Sequence, residues 1–139
     1  MAGLRPVSAR ARYTRAMTSE DGVVAEAFVI VDIAEVTSLV GDAAEGTFTA
    51  RELAYARAKS DPERRLAARL AAKQAAGQLL GPGFGPLDVE VVRGHGAPTL
   101  RFSTAAEARL AALGAHRALV SLTHERRQAA ASVLLLRDG

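Results

Sequence analysis

The spacing of apolar and polar positions changes along the chain, and each change marks an element. Residues 1–23 follow neither a helical nor a strand period and are rich in Arg, Ser and Thr, which predicts a flexible basic leader. The first strong signal spans 23–36. There Phe28, Val29, Ile30, Val31 and Ile33 form a largely β-branched run broken by Asp32, predicting a buried strand that carries one carboxylate. Thr49 followed three residues later by Glu52 has capping-box spacing, so a helix starts at Ala50 and stops near Ser60. Pro62 after Asp61 opens a longer helix over 62–80, with Leu66, Leu70 and Leu79 among many alanines, closed by Gly81-Pro82-Gly83. Its small side chains call for close approach of the neighbouring elements. Beyond that turn, 87–93 and 99–102 read as a hairpin around Gly94-His95-Gly96-Ala97-Pro98, and 104–114 as a short amphipathic helix. Two final strands, 118–123 and 129–136, flank Glu125-Arg126-Arg127. Strand, helix, helix, hairpin, helix, hairpin is an α+β order rather than alternating βα units.

A length of 139 residues is about one domain, which assigns 24–139 to a single unit behind the leader. With 49% hydrophobic and 24% charged residues the chain is not disordered, and no apolar run approaches a membrane span or a signal peptide. A cytoplasmic protein is expected. Zero cysteines exclude a disulfide framework and thiolate chemistry. Most of the net charge of +3 sits in the leader, in Arg5, Arg10, Arg12 and Arg15 against Glu20 and Asp21. No basic stretch is interleaved with aromatic residues, so nucleic acid is not an expected partner.

Asp32 is the residue that most needs an explanation, because burying an unpaired carboxylate costs several kcal/mol on order of magnitude. Glu35 follows three positions later. On a continuous strand the two point to opposite faces, and they share one end only if the strand stops between them. His124, at the end of a predicted strand, is a candidate base, ligand or hydrogen-bond partner. No two histidines have zinc-ligand spacing, and there is no nucleophile elbow, P-loop or dinucleotide fingerprint. Residues 81–86, GPGFGP, are a turn, since their prolines stop any helix that would cradle a phosphate.

With these segments in place, the chain resembles the holo-acyl-carrier-protein synthase branch of the 4'-phosphopantetheinyl transferases. The carrying stretches are Val31-Asp32-Ile33-Ala34-Glu35-Val36; Phe48-Thr49 with Glu52-Leu53-Ala54-Tyr55; Leu66 through Ala75; Gly96-Ala97-Pro98; and Val120-Ser121-Leu122-Thr123-His124. The resemblance implies an α+β fold with an antiparallel sheet packed on a long central helix. It also implies transfer of 4'-phosphopantetheine from coenzyme A to a serine of an acyl carrier protein, with magnesium, in a homotrimer. Asp32 is then the first magnesium ligand, and Gln74 occupies the position of the second, where the family has Glu. An amide oxygen can touch a cation but brings no charge and cannot act as a base. Arg69, Lys73, Gln78, Pro98 and His124 fall at positions near the coenzyme A, with Lys73 beside its phosphates. Arg51, Arg57 and Lys59, with Arg64 and Arg65, form the candidate basic surface for the carrier protein.

The departures gather at the same site. Gln78 stands for the family's Lys, Ser38 for its Arg, Ile30 for its Gly and Leu119 for its His, while Asp32, Glu35, Arg69, Lys73, Ser121 and His124 are retained. Three functions follow from this mixture: a working or weakened transferase; a non-catalytic module that binds the carrier protein; and a repurposed enzyme in which Asp32 and His124 act as an acid/base pair on a tethered acyl chain.

Overall fold

A computed structural model describes residues 11–16, 22–39 and 41–137. Strands β1 (Ala11–Ala16), β2 (Val23–Asp32), β5 (Arg117–His124) and β6 (Gln128–Leu136) form one antiparallel sheet in the order β1-β2-β6-β5. Strands β3 (Val89–Val92) and β4 (Thr99–Phe102) form a separate hairpin. Helices are α1 (Ile33–Thr37), α2 (Asp42–Glu45), α3 (Ala50–Arg57), α4 (Pro62–Leu80) and α5 (Thr104–Ala112). The expected α+β architecture, an antiparallel sheet on a long central helix, is the one observed.

α4 is that helix, with the boundaries its Pro62 start and glycine stop predict. It packs against β2, β5, β6, α1, α3 and β3. Eleven of its side chains are buried, six of them alanines, so backbones close in on it from several sides. On β2, Ala27, Val29 and Val31 join the core with α4, while Phe28 and Ile30 take the alternate parity and stay half-buried on the far face. On β6, Ala129, Ala131, Val133 and Leu135 face the core in the same way, and Ala130, of the other parity, is buried as well.

Two expectations are corrected. Part of the supposed aperiodic leader is β1, which pairs with β2 from Ala11 opposite Ile30 to Ala16 opposite Ala25; residues 1–10 and 17–21 lie outside the described residues. The strand expected to run to Val36 ends at Asp32, whose extended backbone (φ −78°, ψ 139°) caps a five-residue helix. Asp32 and Glu35 therefore stand at one end of the sheet, as they can only if the strand stops between them. α2 interrupts a segment with no sequence signal for a helix. At the closing turn, Gly81 and Gly83 take φ of 94° and 96°, a left-handed conformation open mainly to glycine.

Candidate active site

Arg65 and Arg69 stand one turn apart on α4, on the side facing Tyr55 of α3 and the end of β5. With Arg93, Leu122, Thr123 and His124 these three line a cavity of about 310 Å³, beside which lies the carboxylate of Asp61. Arg65 is held by Asp61, its Nε donating to Oδ1 at 3.0 Å; the bond raises the guanidinium pKa and lowers that of the carboxyl. Arg69 is buried against the Tyr55 ring, 4.3 Å from guanidinium carbon to centroid, and donates from Nη1 to the Arg65 carbonyl at 3.2 Å. Burial pushes its pKa down. Arg69 Nε and His124 Nδ1 are both buried without a hydrogen-bond partner. Each such atom costs about 1–3 kcal/mol, and an oxyanion in the cavity supplies acceptors to the guanidinium and bears its charge.

Asp32 opens a second cavity of about 350 Å³, with Ile33, Ala34, Arg126 and Arg127. Gln128, its register partner on β6, donates from Nε2 to Asp32 Oδ1 at 3.4 Å. Gln74 lines a third cavity of about 310 Å³ with Thr47, Leu70, Lys73, Gly77, Phe84, Gly85 and Pro86, and its Oε1 is buried without a partner. Asp32 and Gln74, expected at one cleft, line different cavities. Asp32 shares the parity of Phe28 and Ile30, the positions of β2 turned away from α4, whereas Gln74 is on α4 itself. Asp32 and His124 line different cavities as well. Both residues nevertheless end their strands at the same edge of the sheet, separated by β6, roughly 10 Å or two ladder spacings.

Lys73 requires a further correction. Its Nζ lies 2.7 Å from Glu52 Oε1 and donates to the carbonyls of Val89 at 2.6 Å and Pro86 at 3.0 Å. An ammonium so engaged, on a side chain 1% exposed, does not face a phosphate. Gln78, half-buried on α4, and Pro98, in the β3–β4 loop, line none of these three cavities. Among the candidate partner residues, Arg51 approaches Glu90 at 4.0 Å and Lys59 sits 5.1 Å over the Tyr55 ring. Arg57 rims an apolar cleft of about 550 Å³ that includes Phe48, Leu53 and half-exposed Leu87. Tyr55 and Arg93 are not among the residues expected at the site, and Arg65, expected on the basic partner surface, lines this cavity. The i,i+4 spacing of Arg65 and Arg69 was its one local signal.

The holo-acyl-carrier-protein synthase of Anaeromyxobacter sp. (strain Fw109-5) is 52% identical to this chain over 97 residues, which are 68% of the chain and 74% of the relative. The chain belongs to the holo-acyl-carrier-protein synthase family. No family model matches it. The fold agrees with that membership. The holo-acyl-carrier-protein synthase of Neisseria meningitidis superposes with a TM-score of 0.69 at 22% identity, over 79% of this chain and 95% of that one. The Helicobacter pylori synthase in complex with coenzyme A superposes with a TM-score of 0.65 at 20% identity, over 78% and 96%. Among the described residues no helix is long and apolar enough to cross a membrane.

Proposed function

We propose that this chain transfers the 4'-phosphopantetheine arm of coenzyme A to a serine of an acyl carrier protein. The observation that supports this best is the cavity of Arg65, Arg69, Arg93 and His124, which presents positive charge and unbonded nitrogen in a member of this family. The serine oxygen forms a bond to the phosphorus nearest the pantetheine, and the bond from that phosphorus to the nucleotide breaks. The nucleotide leaves as adenosine 3',5'-bisphosphate and the serine proton passes to a base. His124 and the arginines hold nucleotide phosphate oxygens. Asp32, steadied by Gln128, takes the serine proton at the other end of the same sheet edge, and Arg126 and Arg127 beside it offset charge on the reacting phosphate. Gln74 Oε1 accepts from water or from an amide of the arm.

Magnesium fits this chain poorly. Among the described residues no group of three or more His, Cys, Asp or Glu side chains is placed to hold a metal ion, Asp32 has two arginines in its own cavity, and Gln74 contributes no charge. Assembly into a homotrimer has support in the far face of the sheet, where Phe28, Ile30 and Leu134 are half-buried and Leu119 is 46% exposed. Arg57 on the rim of the apolar cleft, with Arg51 in the first turn of α3 and Lys59 just past its end, suits an acidic carrier surface.

The test is incubation with an apo carrier protein, coenzyme A and magnesium, followed by intact mass measurement of the carrier. A gain of one phosphopantetheine is expected, absent when the carrier's serine is replaced by alanine. An unmodified carrier at stoichiometric enzyme rejects the proposal.

A further inference from the structure

Glu52 and Lys73 are charged groups inside the core, 1% and 3% exposed, and the transfer chemistry uses neither. Glu52 Oε1 accepts from the Thr49 N–H at 2.9 Å, closing the α3 capping box, while Oε2 accepts from the Val91 N–H at 2.7 Å. Lys73, on α4, bonds Glu52 and the Pro86 and Val89 carbonyls. One ion pair therefore ties the start of α3, the middle of α4 and both ends of the segment leading into β3. A buried pair is a weak source of stability, because apolar residues of similar volume often replace it without loss. What apolar residues cannot do is hold two turn carbonyls three residues apart. That turn follows glycines with left-handed backbone, and its Phe84, Gly85 and Pro86 form the wall opposite Gln74.

We propose that Glu52 and Lys73 are positioning residues: together they hold the Phe84–Pro86 wall against α4 and set the width of the cavity beside Gln74. The role in catalysis rests on the transferase reading; the mechanical role does not. Four proteins test both: wild type, Glu52→Gln, Lys73→Met, and the double variant. Lys73→Met alone leaves a buried unpaired carboxylate and is expected to lower Tm sharply; the double variant removes both charges and keeps the cap acceptor, loses the acceptor for the Val91 N–H, and recovers part of it. In the recovered double variant the Asp88 and Val89 amides are expected to exchange with deuterium at least roughly tenfold faster. KM for coenzyme A is expected to rise by roughly tenfold while kcat changes less, as loss of placement rather than of chemistry. Recovery of Tm together with wild-type exchange and wild-type KM overturns the proposal. Should the double variant not fold, wild-type exchange decides. Protection of Asp88 and Val89 comparable to that of α4 is expected, and exchange as fast as in the exposed 94–97 loop overturns it. A wild type without transfer activity rejects the functional reading, while the exchange results still stand or fall alone.

Discussion

Replacing Arg69 by methionine separates binding from stability in one experiment. The guanidinium lies over Tyr55 with burial opposing its charge, and its Nε has no acceptor. Methionine keeps an unbranched apolar stem against the ring and removes both the charge and the orphaned donor. Because burial disfavours the charge, Tm is expected to stay within a few degrees of wild type or to rise. Coenzyme A, in contrast, loses a charge-assisted contact worth about 1.5–3 kcal/mol, which is roughly 10- to 150-fold in Kd. Titration calorimetry of coenzyme A, in parallel with thermal unfolding, reads both quantities. A Kd within twofold of wild type, with Tm unchanged, would show that the cavity of Arg65, Arg69 and Arg93 does not seat a phosphate. A large fall in Tm would refute the view of Arg69 as a binding rather than a scaffold residue.

Other outcomes follow from the same geometry. Gln74→Glu buries a carboxylate at an oxygen without a partner, outside the Asp32 cavity, and is expected to lower Tm while leaving transfer no more magnesium-dependent than in the wild type, measured by thermal unfolding and by initial rates across a magnesium titration. Asp32→Asn removes the proton acceptor and is expected to lower kcat by roughly 10²–10⁴-fold with little change in coenzyme A affinity. Ala72→Leu forces a large side chain into a fully buried position of α4 and is expected to cost about 1–3 kcal/mol in urea unfolding. Asp88 accepts from the Ser103 hydroxyl at 2.6 Å and the Gly85 N–H at 2.8 Å, and the Ser103 bond, followed by the Gly85 bond, lowers its folded pKa below 3.8. Its stabilisation of the 85–88 turn is therefore complete above 3.8 and lost as pH falls through the lower folded value. NMR titration of the Asp88 carboxyl carbon and the Gly85 amide checks this, a midpoint at or above 3.8 contradicting it.

Local signals carried most of the fold. The Thr49–Glu52 box and the Pro62 start of α4 are chemistry within one turn, and the structure keeps both. β1 carried no such signal, because a short edge segment of Arg, Tyr and Thr becomes a strand by pairing with β2, a tertiary event. The end of β2 was illegible for a related reason: Ile33 continues the apolar run, and only the turn of the chain into α1 separates strand from helix. The site was less readable still. Capping-box spacing identified Glu52 but not its partner Lys73, 21 residues on, and the family position of Lys73 pointed to phosphate when its ammonium is spent on carbonyls. That Asp32 and Gln74 line different cavities had no signal in the sequence either.

The most direct measurement is a quenched time course that follows, in one reaction, the modified carrier protein and the released adenosine 3',5'-bisphosphate. Equal amounts of both, rising together and in proportion to this protein, are the predicted result. Nucleotide released without carrier modification, or neither product above the enzyme-free control, contradicts the account.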